Sequence, residues 1–153
     1  MSTESFEFVT DTATLCVFDL AALRHRLQDE APDWWVWEQL EELNAGNAAF
    51  LDLGSDGFYR GILSTKPLDR WEFQVNLSCP SGQVFIGAAE ETTSSGLEPN
   101  CGRGGLMLRV PAGTYELRAR QLAGNALELS LCSLGGSAQN EFKEPLRLST
   151  SEV

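Results

Sequence analysis

The chain predicts an α+β fold that is mainly β: an antiparallel β-sandwich or partly open barrel with two short acidic helices near the N-terminus. Three observations carry this expectation. From residue 48 onward, β-branched and aromatic runs alternate with short turns rich in Gly, Pro and Asn, which is strand-and-hairpin spacing. Before residue 44 two stretches switch to the helical spacing of apolar residues. The length of 153 residues with 42% hydrophobic content suits one domain able to bury its own core.

In chain order, 6–10 (FEFVT) and 13–18 (ATLCVF) read as two short strands or one hairpin around Asp11 and Thr12. Asp19 can cap a short helix whose stripe is Leu20, Leu23 and Leu27. Asp33 can cap a second helix reaching about Leu43 and stopped by Asn44, Ala45 and Gly46. At 100° per residue, Val36, Trp37, Leu40 and Leu43 fall on one side of that helix and are expected to be buried. Trp34, Trp35, Glu38, Glu41 and Glu42 fall on the other. A hairpin is expected for 49–53 and 58–63 around the Gly-rich turn 54–57, and strict alternation in 71–77 puts Trp71, Phe73, Val75 and Leu77 on one face. Strands follow at 84–88, 106–110, 114–120 and 127–133. Segment 90–105 reads as a long polar loop. Residues 1–135 thus form a single β-rich domain with a helical insertion at about 20–44. Residues 136–153 form a polar, loosely held tail with one edge strand around Leu146 and Leu148.

Charge is the strongest functional signal. The net charge is −11, from 22 acids and 11 bases. Residues 1–57 hold twelve acids against Arg24 and Arg26, while the remaining 96 residues are nearly balanced. Within 29–43 lie six carboxylates, three of the four tryptophans and no Lys or Arg. Tryptophan is enriched at interface hot spots, and dense carboxylate repels nucleic acids and membranes while drawing basic partners. The candidate binding residues are therefore Asp29, Glu30, Asp33, Trp34, Trp35, Glu38, Glu41 and Glu42, with Trp34 and Trp35 as exposed anchors.

Catalysis has little to work with. His25 is the one histidine and sits between Arg24 and Arg26, where a surface or cap-adjacent role is expected. No GxSxG elbow occurs. One His and four scattered Cys match no zinc spacing, and no EF-hand loop is present. Stretch 102–105 lacks the P-loop pattern and precedes a strand. No enzyme, cofactor or metal site is expected. Cys16 and Cys132 read as buried thiols; Cys79 and Cys101 lie near turns and would pair only in an oxidising compartment. The opening residues show no basic region or apolar core of a signal peptide, and no apolar run approaches the roughly 20 residues of a membrane span. The expected location is the cytoplasm.

A small, acidic, β-rich chain of this kind resembles bacterial immunity proteins, which neutralise a cognate toxin. It is also similar to an uncharacterised proteobacterial family that begins with a strand pair (here Phe6 to Phe18), a short helix (Leu20 to Leu27) and an Asp-Trp-Trp segment (Asp33, Trp34, Trp35). The resemblance implies a basic protein toxin as partner, plausibly a nuclease effector of type VI or contact-dependent secretion, with its active site covered by the acidic face. Nuclease toxins are basic because they hold phosphates, so an acidic inhibitor gains steering and complementarity. Two other classes compete: a β-sandwich carbohydrate-binding module using Trp71, and an effector adaptor that binds without inhibiting.

Overall fold

The computed structural model describes residues 3–28, 34–93 and 102–151. Two mixed sheets pack face to face, and one α-helix covers the far side of the second. The first contains β1 (Thr3–Thr10), β4 (Gly57–Ser64), β9 (Ala126–Leu134), β8 (Gly113–Leu122) and β11 (Thr150–Ser151) in that spatial order. There β5 (Phe73–Cys79) shares the outer edge of β8 with β11. The second sheet runs β10 (Leu146–Arg147), β3 (Ala48–Asp52), β2 (Thr14–Asp19), β6 (Gln83–Ala88) and β7 (Leu106–Arg109). The mainly β expectation holds, with two corrections. The sheets are mixed, because β4/β9, β3/β10 and β8/β11 pair in parallel. Among the described residues there is one α-helix, α1 (Trp34–Asn44), and not two.

The segment holding Leu20 and Leu23 forms turns and then a 3-10 helix, Arg24–Gln28. Asp19 explains why the chain turns there. Its carboxylate is buried and accepts hydrogen bonds from the amides of Ala21 (2.8 Å), Ser81 (3.0 Å) and Gly82 (2.7 Å) and from the Ser81 hydroxyl (2.7 Å). It ties the end of β2 to the turn before β6 instead of starting a helix. Asp19→Ala strands amides that water reaches poorly, and a loss of about 2 kcal/mol is expected in denaturant unfolding.

Of the two readings for 6–18, the two separate strands form and not the hairpin, and the hairpin expected for 49–63 does not form. β1 pairs with β4 and β2 with β3, so both 11–13 and 53–56 cross from one sheet to the other. The reason lies in how each strand is buried. β1 and β4 alternate, burying Phe6, Phe8, Tyr59 and Leu63 on one face and exposing the other. β2, β3 and β6 are buried almost throughout. A strand with one wet face belongs beside its like, and a strand with none needs cover on both sides.

That cover comes in two layers. Leu15, Val17, Ala49, Leu51, Val84 and Ile86 face the first sheet and join the core with Phe8, Tyr59, Leu117 and Leu129. The intervening Cys16, Phe18, Ala48, Phe50 and Phe85 face outward and are roofed by Leu23, Trp34 and Trp35. The layer order is therefore first sheet, second sheet, α1. The helix ends where the sequence places its stop. Gly46, at φ 78°, donates to the Leu43 carbonyl, and Asn47 to that of Glu42, the double bond of a Schellman cap. A β-carbon at Gly46 would lie 1.9 Å from the Ala138 carbonyl oxygen.

The segment after Gly135 is fastened rather than loose. The Asn140 side chain donates to the carbonyls of Leu43 and Asn76 and accepts from the Asn76 amide. Asn44 bonds both the amide and the carbonyl of Phe142, whose ring meets Phe73 edge-on. The expected edge strand at the tail is β10.

Candidate interaction surface

Helix α1 meets the second sheet through its first turn. Trp35 stacks on Phe50 with centroids 5.8 Å apart and planes 5° from parallel, and Trp34 meets the same ring edge-on at 6.0 Å. Both indoles are 4% exposed. Trp34 and Trp35 therefore cannot serve as exposed anchors in this conformation. The helix is turned only partly away from the expected orientation: Leu43 is buried and Leu40 half-buried, as expected, but Trp37 is 84% exposed and Val36 is 44% exposed. Two adjacent indoles bury far more apolar surface than Val36 and one indole would. They take the inner position and turn Trp37 outward, with Glu41 four residues further along the same strip.

Glu42 turns inward because a cation meets it. Arg26, buried, donates from Nε to Glu42 Oε2 at 2.6 Å and from Nη1 to Glu38, and its guanidinium carbon lies 4.5 Å from the Trp34 ring centre. His25 Nε2 donates to the same Glu42 oxygen at 2.6 Å, and the Asn47 amide donates to Oε1 at 2.9 Å. Burial pushes the Glu42 carboxyl up, but the bonds from Asn47, His25 and Arg26 outweigh it and hold the pKa below the ordinary value. Glu42, expected on the outer acidic face, is a buried structural carboxylate. Glu38 is half exposed and Glu41 is 73% exposed, 3.9 Å from Arg26. Three carboxylates share one guanidinium, so the outer side of α1 keeps its negative charge. Asp29, Glu30 and Asp33 lie outside the described residues.

The other candidates are accounted for by packing. Burial raises the Cys16 thiol well above its usual range and lifts Cys79 to about 12, so neither supplies thiolate near neutrality. Cys16, Cys79 and Cys132 are free, and Cys101 lies outside the described residues. Trp71 is half-exposed, but the Arg118 guanidinium sits 3.9 Å over its ring, covering a face a sugar would need. Among the described residues, no group of three or more His, Cys, Asp or Glu is placed to hold a metal ion. No helix there is long and apolar enough to cross a membrane.

The sequence matches a family of unknown function, DUF6386, over residues 1–148. The chain belongs to that family. Membership covers nearly its whole length and so includes α1 and both sheets apart from β11. No curated protein sequence matches it. Among solved structures it is similar to the product described as crocagin biosynthetic gene J, with TM-score 0.59 and 16% identity over 88% of this chain and 100% of that one. It also matches ComJ of Bacillus subtilis, described as an inhibitor of the DNA degrading activity of NucA, with TM-score 0.47 and 14% identity over 88% and 96% of the two chains. At this identity the likeness to the crocagin gene J product shows a shared fold and nothing finer.

Proposed function

We propose that this DUF6386 member is an immunity protein, a cytoplasmic inhibitor that binds a basic antibacterial toxin, plausibly a nuclease effector of type VI or contact-dependent secretion, and covers its active site. It acts by binding and not by catalysis, and its partner is a protein rather than nucleic acid or membrane. The observation that carries this reading is Trp37, 84% exposed on a helix whose outer side is acidic. An indole left in water costs solvation and aggregation risk; a partner that buries it turns that cost into binding energy. Trp37 replaces Trp34 and Trp35 as the proposed anchor, with Val36 and Leu40 beside it. Glu38 and Glu41 supply the charge, and Asp29, Glu30 and Asp33 extend it along the preceding sequence.

A pull-down from native lysate at low and high salt, with bound proteins identified by mass spectrometry, gives the partner. That partner is then purified and assayed for nuclease activity with and without this protein. A basic nuclease that loses activity is expected; a partner whose activity is unchanged counts against inhibition. On such a complex, Trp37→Ala should speed dissociation by about 30-fold, the equivalent of a 2 kcal/mol hot spot. Glu41→Lys should slow association at low salt and leave the mutant less salt-sensitive than wild type. If neither change moves the kinetics, this surface is not the contact.

A further inference from the structure

We infer that the outer face of the first sheet is a self-association surface and that the protein pairs through it with a second copy of itself. This face lies on the opposite side of the molecule from α1, with the second sheet between them, and is independent of the proposed inhibitory contact.

The strand registers place its residues in rows. Ser5 pairs with Ile62, which lies opposite Glu128, itself opposite Arg120. In the next row Glu7 pairs with Arg60, opposite Ala126, opposite Leu122. Val9 then pairs with Phe58. Val9 and Phe58, 43% and 46% exposed, lie on one side of the row holding Glu7 and Arg60 and Ile62, 50% exposed, on the other, with the Arg60 guanidinium 5.8 Å from the Phe58 ring centre. Beside them a groove of about 760 Å³ runs between Ser5, Glu7, Arg60, Ile62, Leu122 and Glu128. The face thus offers exposed apolar side chains at either end, Val9 with Phe58 and Ile62, and a trough lined by charged residues between them, features that a two-fold contact of one patch with itself can use.

Charge selects the occupant. The chain carries −11 overall, so two copies repel over most of their surface. The four charged residues in these rows balance: Glu7 against Arg60 at 3.6 Å, and Glu128 against Arg120. Two copies can approach over a patch with no net charge, and across a two-fold axis Glu7 of each can meet Arg60 of the other. From strand spacing and rise the patch measures roughly 20 Å by 25 Å. That is below the roughly 800 Å² per partner of a standard interface, so the dimer is weak and concentration-dependent.

Sedimentation velocity across a wide micromolar series tests this. The expected mass rises from one chain toward two. Ile62→Lys should hold the protein at the single-chain mass while circular dichroism stays unchanged. The charge variants give a result that misfolding cannot imitate. Glu7→Lys and Arg60→Glu should each remain single-chain when alone, because their contacts become Lys against Arg and Glu against Glu. Mixed one to one they should form a heterodimer, because both cross-pairs are again of opposite sign. A single-chain mass at every concentration overturns the proposal and leaves the face to a different protein. A dimer insensitive to Ile62→Lys, or a mixture that stays apart, overturns it equally.

Discussion

Arg26→Ala is expected to destabilise the protein by about 3–5 kcal/mol, lowering Tm on the order of 10 °C. Glu42 is the reason. Its side chain is 4% exposed and that of Arg26 is 7% exposed. Removing the guanidinium leaves a buried carboxylate held only by Asn47 and His25 and also removes the cation that covers Trp34. Breaking one side of a buried pair costs more than the pair contributes, because the remaining charge stays away from water. Glu42→Gln, which keeps the shape and removes the charge, should cost less. The same site sets a pH dependence. The folded-state pKa of Glu42 is depressed, so between its folded and unfolded pKa values the unfolded chain binds the extra proton and stability rises with pH. The contribution is complete above the ordinary carboxylate range and is lost as pH falls through the depressed folded pKa. Urea unfolding from pH 7 to pH 3 should show wild type losing its advantage over Glu42→Gln on acidification. A gap that stays constant would mean the carboxylate does not act through its charge.

The strands were largely legible in the sequence, and their partners were not. Alternation located β5, the short turns located the β8/β9 hairpin, and Gly46 located the end of α1. The sheet assignments depended on a distinction visible in the sequence but not used. LCVF, AAFL and VFIGA are continuous apolar runs, whereas SFEFV and FYRGIL are interrupted by the charged Glu7 and Arg60. Continuous runs need cover on both faces, and that requirement separates β2, β3 and β6 from β1 and β4. The first acidic helix failed for a non-local reason, since Asp19 bonds forward to Ser81 and Gly82, more than 60 residues away, and no window of sequence contains that contact. The outer face of the first sheet is not legible in the sequence, because its members come from β1, β4, β8 and β9 and meet only through pairing.

The largest difference between reading and structure concerns the tryptophans, and it yields the sharpest stability contrast. Trp35→Ala is expected to cost about 3–5 kcal/mol, whereas Trp37→Ala, two residues along the same helix, should stay within about 0.5 kcal/mol of wild type. Trp35 stacks on Phe50 in a cluster closed by Phe18, Phe85 and Leu23, and alanine would leave a cavity over the second sheet. Trp37 has water on most of its surface. Helical periodicity alone favoured Val36, Trp37, Leu40 and Leu43 as the inner stripe. Leu43 and part of Leu40 do lie inside, and Val36 and Trp37 do not, because periodicity counts apolar positions without weighing their size or asking whether a nearby cation can make a carboxylate tolerable inside. Here the area of two indoles and the charge of Arg26 together rotate the helix. Paired denaturant melts of the two variants measure the consequence directly. Equal losses would mean that α1 does not sit on the sheet in this orientation; a loss confined to Trp35→Ala leaves Trp37 as an exposed indole whose removal alters binding and not folding.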